Sequence, residues 1–362
     1  MPYTTADFAH SPFLIFYEVT RACDLVCKHC RACAQPNPHP SQLTHEQSCA
    51  LIRQMAEFPK PPLLVFTGGD PMKREDIFDL VRFAKECGLQ VAMTPSATPL
   101  VTREALIKLK EAGLSRLAVS LDSANPAFHD DFRGVEGSFQ RSLEILRDCR
   151  EIGLPLQINT TITNRNIDQI DEMAEFIAHL GIGLWSVFFL IPVGRGLAEQ
   201  RIKPEEYEVV FEKLWNHAQK QPYAIKTTEA HHYRRFVLEK HGNPQLQPGP
   251  LPAGRQQRAP LGVNDGKGVF FVSHTGSVYP SGFMPILCGR FPEKSIIDIY
   301  QNSDLLKSLR NGDLLKGKCG LCEYRQICGG SRARAYAITR DPLAAEPDCV
   351  YIPTQMREKV LC

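Results

Sequence analysis

Seven of the thirteen cysteines fall into two tight groups. Cys23, Cys27 and Cys30 stand at C-x3-C-x2-C spacing directly after the apolar run Phe13 to Val19. Cys319, Cys322 and Cys328 stand at C-x2-C-x5-C spacing, with Cys349 further on. Three thiolates on one short loop can hold a cubane iron–sulfur cluster by three corners and leave the fourth iron open to a ligand. Cys33 extends the first run by another x2 step, and a fourth thiolate would close the cluster into one that only transfers electrons. Zinc prefers four ligands in two separated pairs, which suits the first group poorly and the second well. Secreted disulfide scaffolds are short, so dense groups in a long chain favour metal ligation; Cys49, Cys87, Cys149, Cys288 and Cys362 are scattered.

Such ligands need a rigid frame. From Phe13 to about residue 220, short apolar runs alternate with amphipathic segments, the pattern of repeated βα units on a parallel sheet. Six strands are predicted, beginning near Phe13, Leu63, Gln90, Arg116, Pro155 and Gly183. Gly88, Gly113, Gly153 and Gly181 stand just before four of them, where left-handed helix C-caps belong. Thr44 with Gln47 offers a capping box for the first helix. Ile167, Ile170, Met173, Ala174 and Ile177 recur at helical spacing as a core-facing stripe. The expected fold class is α/β: an open, partial (β/α)6 TIM-like barrel over residues 1–220, with its site at the carboxyl ends of the strands. Pro244, Pro248, Gly249, Pro250, Pro252, Gly254 and Pro260 break any periodicity, so 221–260 reads as a linker or lid. Residues 261–362 read as a small C-terminal domain with a hairpin turning at Thr275-Gly276 and a helix around Ser303 to Arg310.

The 42 Lys and Arg against 40 Asp and Glu leave a net charge of +2 with no long run of either sign, which gives no basis for nucleic-acid tracking or electrostatic membrane attachment. No uninterrupted apolar stretch of about 18 residues is present, and Met1 to Ser11 lacks the order of a signal peptide. A cytoplasmic protein with no membrane or nucleic-acid partner is expected.

The Cys23-x3-Cys27-x2-Cys30 loop after a first strand resembles the signature of the radical S-adenosylmethionine superfamily, with His29 where its members usually carry an aromatic residue. The resemblance implies a 4Fe-4S cluster whose open iron chelates S-adenosylmethionine and whose electron cleaves the sulfonium to a 5′-deoxyadenosyl radical, leaving the hard chemistry to the cofactor. It leaves Cys33 outside the cluster. Thr67-Gly68-Gly69-Asp70-Pro71 after the second strand resembles the family's Gly-Gly-Glu-Pro motif against the methionine ammonium, with Asp70 in place of the commoner Glu. Ser120-Leu121-Asp122, Asn159 with Thr161, and Ile191-Pro192 with Gly194 occupy positions where the family contacts ribose, carboxylate or adenine.

The second cysteine group resembles the SPASM domain, a twitch-like module that carries auxiliary 4Fe-4S clusters behind such barrels. Three ligands of its first auxiliary cluster are missing: Ser281 and Arg332 stand at two of the offsets, and no cysteine lies between Cys149 and Cys288. Cys319, Cys322, Cys328 and Cys349 match the second, which implies two clusters in all, one open and one closed. The segment from Cys328 to Cys349 and the Glu18 to Cys23 opening resemble enzymes that tailor tetrapyrroles, which implies hydrogen abstraction and side-chain oxidation or decarboxylation of a tetrapyrrole. The auxiliary cluster would transfer an electron, and flavodoxin or ferredoxin would donate one. Arg332 and Arg334 either meet propionates or pair with local acids on a solvated helix. Alternatives are a maturase of a ribosomally made peptide and a non-catalytic electron carrier; the Gly68 to Pro71 segment opposes the carrier, which needs no nucleotide pocket. No residue is singled out as catalytic, and Cys33, Cys288, Cys362, His231, His232, Tyr279 and Tyr336 are left without a role.

Overall fold

The computed structural model describes residues 4–242 and 261–358. Seven parallel strands follow one another across the sheet: β1 (Leu14–Thr20), β2 (Leu63–Gly68), β3 (Gln90–Met93), β4 (Arg116–Ser120), β5 (Leu156–Ile162), β6 (Leu184–Phe189) and β7 (Ala224–Thr228). The helices between and after them are α1 (His45–Ala56), α2 (Ile77–Glu86), α3 (Arg103–Glu111), α4 (Pro126–Arg133), α5 (Ser138–Ile152), α6 (Ile170–Ala178), α7 (Pro204–Lys220) and α8 (His232–His241). The six predicted βα units are therefore present. Thr44 and Gln47 cap α1 reciprocally, and Ile170, Met173, Ala174 and Ile177 of α6 are buried. Gly88, Gly113, Gly153 and Gly181 take positive φ of 86°, 102°, 67° and 70°, values that only glycine adopts without strain.

The predicted linker departs from expectation in its first half, which holds β7 and α8, while 243–260 lie outside the described residues. The strand escapes the sequence pattern because Ala-Ile-Lys-Thr-Thr has no apolar alternation. Its inward side chains face a cavity instead of a core.

The chain then adds β8 (Asn264–Asp265), β9 (Gly268–Val272), β10 (Ser277–Tyr279) and β11 (Gly289–Arg290), followed by α9 (Ile296–Asn302), α10 (Asp304–Arg310), α11 (Gly317–Leu321), α12 (Arg332–Thr339) and α13 (Thr354–Glu358). The hairpin β9 to β10 forms as expected, and β9 also pairs in parallel with β1. The order is β11-β10-β9-β1-β2-β3-β4-β5-β6-β7, so one sheet runs through both parts of the chain and stays open at its two ends.

TIM barrels fill their interior with layers of Val, Ile and Leu. Here the positions facing inward include Ala92, Ala118, Ser120, Gln157, Asn159 and Thr161, and the interior is hollow. The buried apolar residues lie mainly between sheet and helices, in one cluster that extends to Phe270, Ile296 and Tyr300 of the C-terminal part.

Candidate active site

Backbone packing sets the cysteine loop. The Gly69 N–H bonds to the Thr20 carbonyl at 2.9 Å and the Asp70 N–H to the Ala22 carbonyl at 2.7 Å. A Cβ on Gly68 would lie 2.3 Å from the Thr20 oxygen and one on Gly69 would lie 2.4 Å from the Ala22 oxygen, so the glycine pair is required for this close approach. Gly194 (φ 64°) performs the same service on the far side of the loop, where a Cβ would lie 2.3 Å from the Cys30 oxygen. Arg31 ties the loop to Glu18 of β1 at 3.2 Å, and Glu18 accepts a 2.7 Å bond from His274 in the β9 to β10 turn. Burial alone would raise the Glu18 carboxyl, but the His274 bond and the Arg31 charge outweigh it and hold it low.

Cys23, Cys27 and Cys30 all open onto one cavity of about 1590 Å³. The N–H groups of Leu25 and Ala34 donate to the Cys23 and Cys30 sulfurs at 3.4 and 3.5 Å, and the Arg133 guanidinium lies 3.9 Å from the Cys27 sulfur. Burial pushes the Cys23 and Cys27 thiols up, a cost that a coordinated cation would cancel. His29 stacks on Phe132 at 4.2 Å and lines the same cavity with its Nδ1 buried and unpartnered. Burial, reinforced by Arg133, pulls its pKa down to about 3, so the ring is neutral. Three convergent sulfurs with N–H donors and an orphaned polar atom fit a cluster with a polar ligand on its open side.

The predicted nucleotide residues separate into two sets. Gly68, Gly69, Ser120, Asn159, Thr161 and Ile191 line the cavity. Asp70, Pro71, Asp122 and Pro192 do not line it. The Asp70 carboxylate is spent on its own turn, accepting from the Met72 and Ser96 amides at 3.1 and 3.3 Å and the Thr98 hydroxyl at 2.7 Å. Asp122 is fully buried, pairs with Arg133 at 2.5 Å and accepts the Thr161 N–H at 2.8 Å. It thereby aims Arg133 at Cys27. Cys33 is absent from the cavity wall.

A carboxyl pair in the cavity wall has no sequence motif. Glu229 follows β7 with φ 60°, rare for a residue with a side chain, and Arg334 donates to its carbonyl at 2.6 Å. Its side chain bonds to Asp265 and accepts from Ser331 at 2.5 Å, while Asp265 accepts the Ala333 N–H at 2.9 Å. Burial, and then the neighbouring carboxylate, pushes Glu229 well above its ordinary 4.5, so the pair keeps a shared proton. A raised carboxyl pKa in the folded state means stability is lost as pH rises from that ordinary value towards the folded one. Glu229→Gln keeps a donor to Asp265 without needing the proton. Its stability relative to wild type, measured by denaturant unfolding, is expected to increase between pH 5 and pH 8, by up to about 1.4 kcal/mol per pH unit. A flat difference would contradict the shared proton.

Cys319, Cys322, Cys328 and Cys349 line a second, small cavity of about 20 Å³. Each sulfur accepts a backbone N–H: Cys319 from Glu346 at 3.2 Å, Cys328 from Gly330 at 3.4 Å, Cys322 from Tyr324 and Cys349 from Tyr351. Lys318, Arg235 and Arg325 stand around them, and burial pushes the Cys322, Cys328 and Cys349 thiols up, a cost that a coordinated cation would cancel. Among the described residues no three such side chains meet as the ligands of one metal ion do; the four sulfurs surround a space. Ile327 lines the large cavity and its neighbour Cys328 the small one, so the two share a thin wall. Arg332 and Arg334 are buried and do not line the large cavity, which overturns the propionate contact and the solvated helix, while the expected pairing with local acids holds for Arg334. Arg332 donates to the Pro342 and Ala344 carbonyls, and Arg334 contacts Glu346 at 3.2 Å and Asp348 at 3.1 Å.

A hollow, open parallel barrel with three thiols on the loop after its first strand, pinned by a glycine pair, defines a class of enzyme, and residues 17–177 match the family described as the Radical SAM superfamily. The chain belongs to this superfamily and is a radical S-adenosylmethionine enzyme. Among its relatives, AdoMet-dependent heme synthase of Methanosarcina barkeri is 37% identical over 344 residues, spanning 95% of this chain and 98% of the relative. PqqA peptide cyclase of Bradyrhizobium diazoefficiens is 26% identical over 359 residues, spanning 97% and 89%. The crystal structure of Streptococcus suis SuiB bound to S-adenosylmethionine shares the fold, with a TM-score of 0.71 at 16% identity over 94% of this chain and 78% of that one. No helix among the described residues is long and apolar enough to cross a membrane.

Proposed function

We propose that the enzyme oxidatively decarboxylates propionate side chains of an iron tetrapyrrole to vinyl groups, as a haem synthase. The observation that carries this is the end-to-end similarity to AdoMet-dependent heme synthase, 37% identical over 95% of the chain. The cavity of about 1590 Å³ supports it, since small-molecule pockets measure about 300–1,000 Å³ and this one has room for a nucleotide and a macrocycle together.

In this reading Cys23, Cys27 and Cys30 hold the open cluster and Cys319, Cys322, Cys328 and Cys349 the closed one. When bound, the first with S-adenosylmethionine supplies a hydrogen-abstracting radical and the second a one-electron acceptor. Each propionate loses one hydrogen atom, carbon dioxide and one electron to become vinyl. The chain's own residues arrange this change. Gly68, Gly69, Ser120, Asn159, Thr161 and Ile191 offer the wall for the nucleotide, Asp70, Pro71, Asp122 and Pro192 shape that wall from behind, and Arg133 steadies the Cys27 thiolate. A flavodoxin or ferredoxin supplies the electron consumed in each turnover.

Anaerobically reconstituted protein, reduced with dithionite and given S-adenosylmethionine, is expected to yield 5′-deoxyadenosine. With an iron porphyrin bearing four propionates it is expected to release carbon dioxide and form a product 46 mass units lighter per side chain, about one hydrogen pair and one CO2 short once protons are counted. Cleavage of S-adenosylmethionine without porphyrin turnover, together with turnover of a peptide encoded beside the gene, would replace the haem reading by the peptide one.

A further inference from the structure

Five arginine and lysine side chains line the large cavity, and three are spent within the protein. Arg31 pairs with Glu18 at 3.2 Å, Arg133 pairs with Asp122 at 2.5 Å, and Arg234 donates to the Val263 and Ile327 carbonyls at 2.7 and 3.2 Å. Arg116 and Lys226 are different. Neither forms an ion pair among the described residues. Arg116 makes one long bond, 3.4 Å, to the Gln157 amide oxygen, and Lys226 has no side-chain hydrogen bond among them.

Lys226 lies in the middle of β7, the last strand of the sheet, and its side chain lines the cavity, where water reaches it while protein surrounds it. Burial, and then the charge of Arg116, pulls its pKa down to about 8, and burial lowers Arg116 as well. Both cations line the same cavity, and neither meets a counter-charge among the described residues. The carboxyls in the wall, Glu229 and Asp265, are turned to each other and to serine hydroxyls. Two unpaired cations in a partly desolvated cavity are costly unless an anion completes them.

Their position brings them together in the wall: Lys226 is in register, through Ser186, with Asn159, and the Gln157 side chain that Arg116 meets donates to Asn159 at 2.7 Å. We infer that Arg116 and Lys226 form a carboxylate-binding site in the cavity wall, which grips propionates of the substrate and so fixes how the macrocycle sits. This rests on the tetrapyrrole reading. The guanidinium fork meets a carboxylate with two bonds and the ammonium adds a point charge. A macrocycle with several propionates can be held by one while another is presented for reaction.

The test is a titration of anaerobically reconstituted protein with an iron porphyrin bearing four propionates and with its tetramethyl ester, followed by the Soret band, for wild type, Arg116→Gln, Lys226→Gln and Lys226→Arg. The free acid is expected to bind Arg116→Gln and Lys226→Gln about tenfold or more weakly, the loss for a charge-assisted bond. Lys226→Arg should recover most of that loss, while the ester binds all four proteins alike. Affinity for S-adenosylmethionine, iron content and circular dichroism should match wild type, which separates the substrate's carboxylates from that of the nucleotide and from misfolding. Free-acid affinities within twofold of wild type would overturn the site and leave the haem reading standing. A parallel fall in S-adenosylmethionine affinity would also overturn it, by giving the two cations to the nucleotide. A wild type that binds no porphyrin would remove the haem reading and this site with it.

Discussion

Arg334→Met is expected to destabilise the protein by about 3–5 kcal/mol, the range for breaking one side of a buried ion network. Arg334 is fully buried against Glu346 and Asp348, which are buried too, and it also donates to the Glu229 carbonyl and lies 5.3 Å from the Tyr207 ring centre. Met fills similar volume, so the loss is electrostatic. Glu346 keeps the Ser331 N–H at 2.6 Å, and Asp348 keeps Arg201 at 2.5 Å and the Tyr207 hydroxyl at 3.1 Å, but the guanidinium that neutralises the group is gone. Denaturant unfolding of the reconstituted protein measures the effect. A shift below about 1 kcal/mol would mean the acids take up protons or solvent at little cost. Because the Glu346 N–H donates to the Cys319 sulfur, the variant should also lose iron from the second cysteine group first.

Replacing Cys319 or Cys349 by Ala should remove one cluster and leave the other. Iron is expected to fall from about eight to about four atoms per chain, since each cubane carries four. S-adenosylmethionine binding should persist, because the two cysteine groups line separate cavities. Porphyrin turnover should fall by about 10²-fold or more, as the electron left on the substrate loses its acceptor. Twelve irons in the wild type, or zinc retained at the second group, would contradict the two-cluster arrangement.

The cysteine groups, the glycine pair and the six βα units were legible because each is a local pattern: a spacing, a turn, a period. What escaped was set by partners far along the chain. Arg332 and Arg334 look like surface charges, because Glu346 and Asp348 lie beyond a turn and Glu229 lies in another part of the fold. Asp70 and Asp122 match a motif by position, yet their carboxylates turn into the protein, to Thr98 and to Arg133. Lys226, Glu229 and β7 fell within a stretch marked by polar and breaking residues, and polarity that faces an internal cavity cannot be told from polarity that faces solvent by composition alone.

The parallel pairing of β9 with β1 bears on how the molecule comes into being. Leu14 to Tyr17 are synthesised well before their partners on one side, Val269 to Val272, with the rest of the parallel strands made in between. Pairings of such sequence separation close late and slowly. Until then β1 presents an unpaired edge, open to mispairing with other chains. The Glu18 to His274 bond that helps fix the cysteine loop crosses the same distance. The setting of that loop is therefore tied to the synthesis and docking of the β9 to β10 hairpin.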